Sequence, residues 1–158
     1  MNVCVLCVGK LKEKWARAGC EEYLKRLGRF GHVEVREIPD CPEPAKPSEA
    51  LNRQVMDKEG RELMRAIRDA DHVVALCVRA DQPDSPGLAR RLGNWEMSGK
   101  RVVLVIGGSL GLSEEVLSRA DERLSFSNLT FPHQLMRVVL LEQVYRSYRI
   151  ISGEPYHK

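Results

Sequence analysis

Four short apolar runs constrain this chain more than anything else in it: "VCVLCV" at 3–8, "VEVREI" at 33–38, "HVVALCV" at 72–78 and "RVVLVI" at 101–106. Three of them are apolar at nearly every position, which fits strands buried on both faces of a parallel sheet. A weaker run at 123–126 adds a fifth strand. Between the strands the period changes from strand-like to helical. In 12–27 the residues Ala16, Cys20, Tyr23, Leu24 and Leu27 share one face, and in 48–68 the residues Leu51, Val55, Leu63 and Ile67 do so behind Ser48 as N-cap. "DSPGLARRLGNWEM" predicts a helix with Ser85 as N-cap and Pro86 at the first helical position, Ser113 opens a short helix, and 133–151 forms the last. Strict alternation predicts an α/β fold, a parallel sheet with helices on both faces, in one domain spanning 1–158. "PDCPEPAKPSEA" is then a loop within that domain, not a linker.

Composition removes several classes of function. No apolar run approaches the ~18 residues of a spanning helix. The start "MNVCVLCVGK" lacks the basic n-region of a signal peptide. A cytoplasmic protein is expected, with no membrane partner. The net charge of +3 permits a polyanionic partner without requiring one. Five cysteines make an odd count, unsuited to a disulfide framework. Cys4 and Cys7 spell C-x-x-C, but in a strand that spacing points the side chains to opposite faces, so both are expected in the core and no metal site is expected.

Two stretches carry the candidate chemistry. In "VVLVIGGSLGLSEEV", Gly107, Gly108 and Gly111 follow a strand and precede a helix, where open parallel sheets bind ligands. The spacing fits neither G-x-G-x-x-G nor a P-loop, and a tight turn with no ligand accounts for the glycines equally well. In "SNLTFPHQLM", Pro132 forces Phe131 out of the helical region, so the preceding residues are extended and offer free backbone groups, with Leu129 and Phe131 as apolar walls. The last helix is apolar almost all round through Leu135, Val138, Val139, Leu140, Leu141 and Val144. Such a helix needs cover on two sides, which predicts a homodimer built on it. Arg137, one turn into this helix, is the better candidate for a functional charge than Arg146 or Arg149.

Taken together, "LVIGGSLGLS", "SFSNLTFPHQLMRVVLLEQVYRSY", the tail "PYHK" and the shorter "DKEG" and "EYLKR" closely resemble the RlmH family of SPOUT-superfamily methyltransferases. The resemblance runs end to end. It implies a homodimer with an α/β knot, its C-terminal segment tied in a trefoil. It also implies S-adenosylmethionine as methyl donor and N3 of a pseudouridine in large-subunit (23S) ribosomal RNA as acceptor. The family's cofactor pocket falls on Leu76, Gly108, Ser127, Asn128, Leu129, Thr130, Phe131 and Pro132. Cys77 stands where the family commonly has Asp.

Methyl transfer from a sulfonium is an in-line displacement, and a uracil-type N3 must lose its proton. The candidates are His157 as base or relay, Tyr156 as stacking platform, Arg137 as counter-charge or phosphate holder, and His133 as a positioning group. A non-catalytic module binding S-adenosylmethionine or a nucleotide is the competing reading. The sequence leaves open which ribosomal particle is the substrate, and whether the tail serves its own pocket or a partner's.

Overall fold

The computed structural model describes residues 1–158 as ten elements. They are β1 (Asn2–Val8), α1 (Lys14–Leu27), β2 (His32–Ile38), α2 (Glu49–Ala66), β3 (His72–Asp81), α3 (Ser85–Met97), β4 (Val102–Ile106), α4 (Glu114–Arg119), β5 (Glu122–Leu124) and α5 (His133–Ile151). The five strands form one sheet of order β2-β1-β4-β3-β5 in which every pairing is parallel. Parallel crossovers are right-handed, so crossovers running in opposite directions along a sheet place their helices on opposite faces. Here α1 and α3 share one face with α5, while α2 and α4 cover the other.

Alternation along each strand splits the core in two. Val3, Val5 and Cys7 of β1 join Leu104, Leu92, Leu140 and Tyr148 on the α1–α3–α5 side, whereas Cys4, Leu6 and Val8 join Val103, Leu63 and Val116 on the other. The two cysteines of C-x-x-C therefore lie on opposite faces. Burial pushes their thiols up, to about 11 at Cys4 and about 12 at Cys7, so both remain protonated core residues. No helix is long and apolar enough to cross a membrane.

Local signals explain most element ends. Ser48 and Ser113 accept hydrogen bonds from Leu51 N–H and Val116 N–H, each a side-chain N-cap. The third expected cap differs. Asp84, not Ser85, accepts from Gly87 N–H at 2.7 Å, and Ser85 Oγ instead donates to Gln143 Oε1 at 3.0 Å, linking α3 to α5. The first helix begins two residues later than the spacing predicts. The N–H groups of Lys12 and Glu13 both donate to Gln134 Oε1, so a side chain of α5 satisfies the entry to α1.

The last helix is covered by its own chain on more sides than its sequence suggests. Its inner residues share a core with the sheet, and it packs against both α1 and α3. Gly19 lets α1 approach so closely that a Cβ there would lie 3.1 Å from Val138 Cγ1. Leu140, Leu141 and Val144 are fully buried, and only the outer residues such as Leu135 and Val139 remain half-buried.

Candidate functional site

Two adjoining cavities open at the carboxyl ends of the strands, as expected for an open parallel sheet. The larger encloses about 500 Å³ beyond β3, β4 and β5, within the usual range for a small-molecule site. It is bounded by the end of β3 (Leu76, Cys77, Val78), the glycine loop after β4, and the segment between β5 and α5. Of the residues the sequence singled out, Leu76, Gly108, Ser127, Leu129, Thr130 and Phe131 line it. Asn128 and Pro132 do not. Asn128 Oδ1 accepts from Gln82 Nε2 at 2.8 Å, and Pro132 is the N-cap of α5, its carbonyl accepting from Met136 N–H.

The walls of this cavity follow from local chemistry. Gly107 admits no side chain, since a Cβ would lie 2.9 Å from the backbone of Gly111. Gly111 takes a φ of 91°, and its N–H closes the turn on Gly108 O. Across the cavity, Ser125 ties the strap down. Its N–H donates to Asp81 O, and its hydroxyl reaches Val78 O at 2.7 Å and Ser127 O at 3.0 Å. Those bonds extend β3 to Asp81, past the predicted end, across a bulge. The N–H groups of Thr130 and Phe131 donate to nothing in the chain and are free for a ligand's polar edge. Leu129 is 70% exposed and Val78 43%, apolar surface standing at the mouth.

A second cavity of about 240 Å³ adjoins the first on the β1–β2 side, and the two share Gly108, Ser109 and His133. His133, the first residue of α5, thus borders both.

The remaining candidates lie elsewhere. Arg137 is 0% exposed, so the phosphate-holding role expected of it is not available in this fold. Its guanidinium donates to Val8 O at 3.0 Å and Gly9 O at 2.6 Å, with Glu37 3.5 Å away. It fastens α5 to the end of β1. The signal was present: Arg137, Leu141, Val144 and Tyr148 repeat at core spacing, so Arg137 sits on the inward stripe.

The tail turns back along its own helix. Gly153, with a φ of 68°, reverses the chain after α5. Tyr156 then packs edge-on to Tyr145 at 5.0 Å, beneath Arg146 at 4.7 Å, and its hydroxyl donates to Glu142 at 3.2 Å. Burial and the neighbouring Glu142 raise its phenol to about 12, so it stays protonated. His157 Nδ1 is 3.5 Å from Arg146. The larger cavity reaches α5 only at His133 and Met136. At roughly 1.5 Å per residue, Tyr145 lies about 14 Å further along the helix. The structure therefore groups His133 with the pocket and sets Tyr156 and His157 apart from the pocket of their own chain.

Comparison with known proteins gives a consistent picture. A family profile described as "Predicted SPOUT methyltransferase" matches residues 1–157. The chain is 50% identical to "Ribosomal RNA large subunit methyltransferase H" of Bifidobacterium animalis subsp. lactis and 52% identical to the protein of that name from Listeria monocytogenes, each over 100% of both chains. A methylase family protein of Neisseria gonorrhoeae shares the fold with a TM-score of 0.57 at 14% identity, covering 99% of this chain and 86% of the other. Another from Haemophilus influenzae gives 0.53 at 10% identity, covering 96% and 66%.

Proposed function

This chain belongs to the SPOUT methyltransferase family, and from that premise we propose that it methylates N3 of a pseudouridine in large-subunit ribosomal RNA, with S-adenosylmethionine as donor. That it is a methyltransferase acting on this RNA follows from its full-length relatives. The donor, the modified atom, the C-terminal trefoil knot, the dimer and a cytoplasmic site of action belong to the proposal.

One observation carries the reading of the site. Six of the eight residues that family resemblance assigns to the donor border a single cavity, whose glycine loop leaves no room for a side chain at Gly107. The cavity suits the donor. Its lining is mostly apolar, fit for a purine and ribose, with the free N–H groups of Thr130 and Phe131 to read a polar edge. When bound, S-adenosylmethionine supplies a methyl carbon activated by its sulfonium. The chain's part is to hold that carbon in line with the acceptor, exclude water, and receive the N3 proton as the N–C bond forms. His133 at the pocket edge and His157 on the tail are the groups suited to the proton, and protonated Tyr156 to stacking or orienting the base.

The tail's distance from its own pocket favours catalysis across a dimer. In an antiparallel pairing of two α5 helices about their midpoint, the 145–157 region of one lies near the 133–136 region of the other. Each site then takes its donor from one subunit and its tail from the other. Leu140 is buried within the chain, so the outer residues test this pairing. Replacing Leu135 and Val139 together by Glu is expected to give a folded monomer by light scattering; an unchanged dimer would move the interface elsewhere.

The assignment itself is tested by incubating the protein with labelled S-adenosylmethionine and ribosomes lacking the modification. Label is expected in large-subunit RNA, on a pseudouridine. Label confined to small-subunit RNA, or none at all, would overturn the reading.

A further inference from the structure

The smaller cavity differs from the larger in charge. Asp40, Glu43 and Glu59 line it, together with Val8, Gly108 and His133. Glu59 is a residue of α2 that is only 4% exposed. One of its carboxylate oxygens accepts the Cys41 N–H at 3.2 Å; the other accepts no hydrogen bond, and no Lys or Arg forms an ion pair with it. Its charged neighbours Asp40 and Glu43 carry the same sign. An acid buried without a counter-charge is costly, because desolvation disfavours its anionic form.

Gly108 connects this carboxylate to the larger cavity. A Cβ on Gly108 would lie 3.1 Å from both Glu59 oxygens and 3.3 Å from Val8. The missing side chain lets the glycine loop rest on Glu59 and keeps the two cavities contiguous. A ligand in the larger cavity can therefore extend one cationic arm beside Gly108 toward an unpaired carboxylate.

We propose that Glu59 is the counter-charge for the α-ammonium group of the methyl donor, whose amino-acid end occupies the smaller cavity. The inference rests on the donor assigned under Proposed function. The donor carries two cationic groups, and the sulfonium has to face the acceptor. The ammonium is the one free to be buried against an anion, with three N–H donors for a carboxylate oxygen that lacks any. Burial, followed by Asp40 and Glu43, raises the Glu59 pKa. A cation seated there stabilises the carboxylate and offsets that shift. Asp40 and Glu43 lie exposed at the rim and add attraction at longer range.

Glu59→Gln keeps the shape and an acceptor for Cys41 N–H while removing the charge. Calorimetry on the full-length wild type and this variant would compare S-adenosylmethionine, S-adenosylhomocysteine and 5′-methylthioadenosine, the last of which lacks the amino-acid end. The variant is expected to weaken the first two alike, by about 10- to 100-fold, the scale of a hydrogen bond to a charged group, and to leave methylthioadenosine within about twofold. Equal losses for all three would make Glu59 a support for the glycine loop, and a loss for S-adenosylmethionine alone would make the sulfonium its partner. Either result, or no change, overturns the proposal. Should Glu59→Gln fail to fold, Asp40→Asn with Glu43→Gln decides: a smaller loss confined to the two ammonium ligands supports the site, and a uniform response sinks it. Wild-type protein that binds none of the three removes the donor reading and this one together, whereas wild-type binding with an indifferent Glu59→Gln removes this one alone.

Discussion

Deletion of residues 156–158 is expected to leave cofactor affinity within about twofold of wild type and to lower single-turnover methyl transfer by about 10²-fold or more, the scale of losing a general base. The two effects separate because the tail and the pocket of one chain occupy different ends of α5. The deletion has a structural cost. Tyr156 packs against the main core and its hydroxyl bonds Glu142, so thermal stability is expected to fall by a few degrees. Two single substitutions divide the roles. His157→Ala should lower kcat more than it raises KM if the imidazole acts in the transition state. Tyr156→Phe should keep the ring on Tyr145 and do less than Tyr156→Ala. If the truncated protein turns over within about threefold of wild type, with cofactor and RNA saturating, the tail is a bystander and the chemistry returns to His133.

Gly108→Val is expected to weaken donor binding by about 100-fold or more, while the fold remains measurable by circular dichroism. The direction of the missing Cβ sets the mechanism. It points between Glu59 and Val8, both buried, and not into the middle of the larger cavity. A valine there must displace the Glu59 carboxylate or lift the glycine loop into the space the ligand needs. Overpacking of this kind costs roughly 1–3 kcal/mol of stability, tolerable for a loop beyond the carboxyl end of a strand. Calorimetry showing affinity within about threefold of wild type would move the donor away from Gly108.

How much of this was legible in the sequence depended on whether the deciding contact was local. Strand positions, sheet class and the start of α5 were readable because apolar runs, Ser caps and the Pro132 restriction act over a few residues. The cap of α3 went to Asp84 because two capping residues stand side by side in "DSPG", and propensity does not separate them. The start of α1 depends on Gln134, more than a hundred residues away. Most of the candidate pocket was named by resemblance, since periodicity says only that glycines and an extended strap sit at strand ends. Two residues had a signal that went unread. Arg137 falls on the inward stripe of α5. Glu59 continues the series Leu51, Val55, Leu63 and Ile67 at intervals of four, an acid on an otherwise apolar stripe. The apolar perimeter of α5 pointed to a partner more strongly than the structure requires, because neighbours such as α1 and α3 are invisible in a helix read alone.

The bond from Arg137 to the carbonyls of Val8 and Gly9 joins positions separated by 129 and 128 residues. A polypeptide emerges from the ribosome in order, at about 5–20 residues per second. The first strand is therefore made several seconds before the guanidinium that will cap its end, and the pocket walls between residues 76 and 136 are also produced late. No shorter nascent chain can close this site. Contacts this distant in sequence also make folding slow relative to a chain of local pairings. An enzyme whose relatives are named for modifying the large ribosomal subunit is thus finished only after its own synthesis is nearly complete.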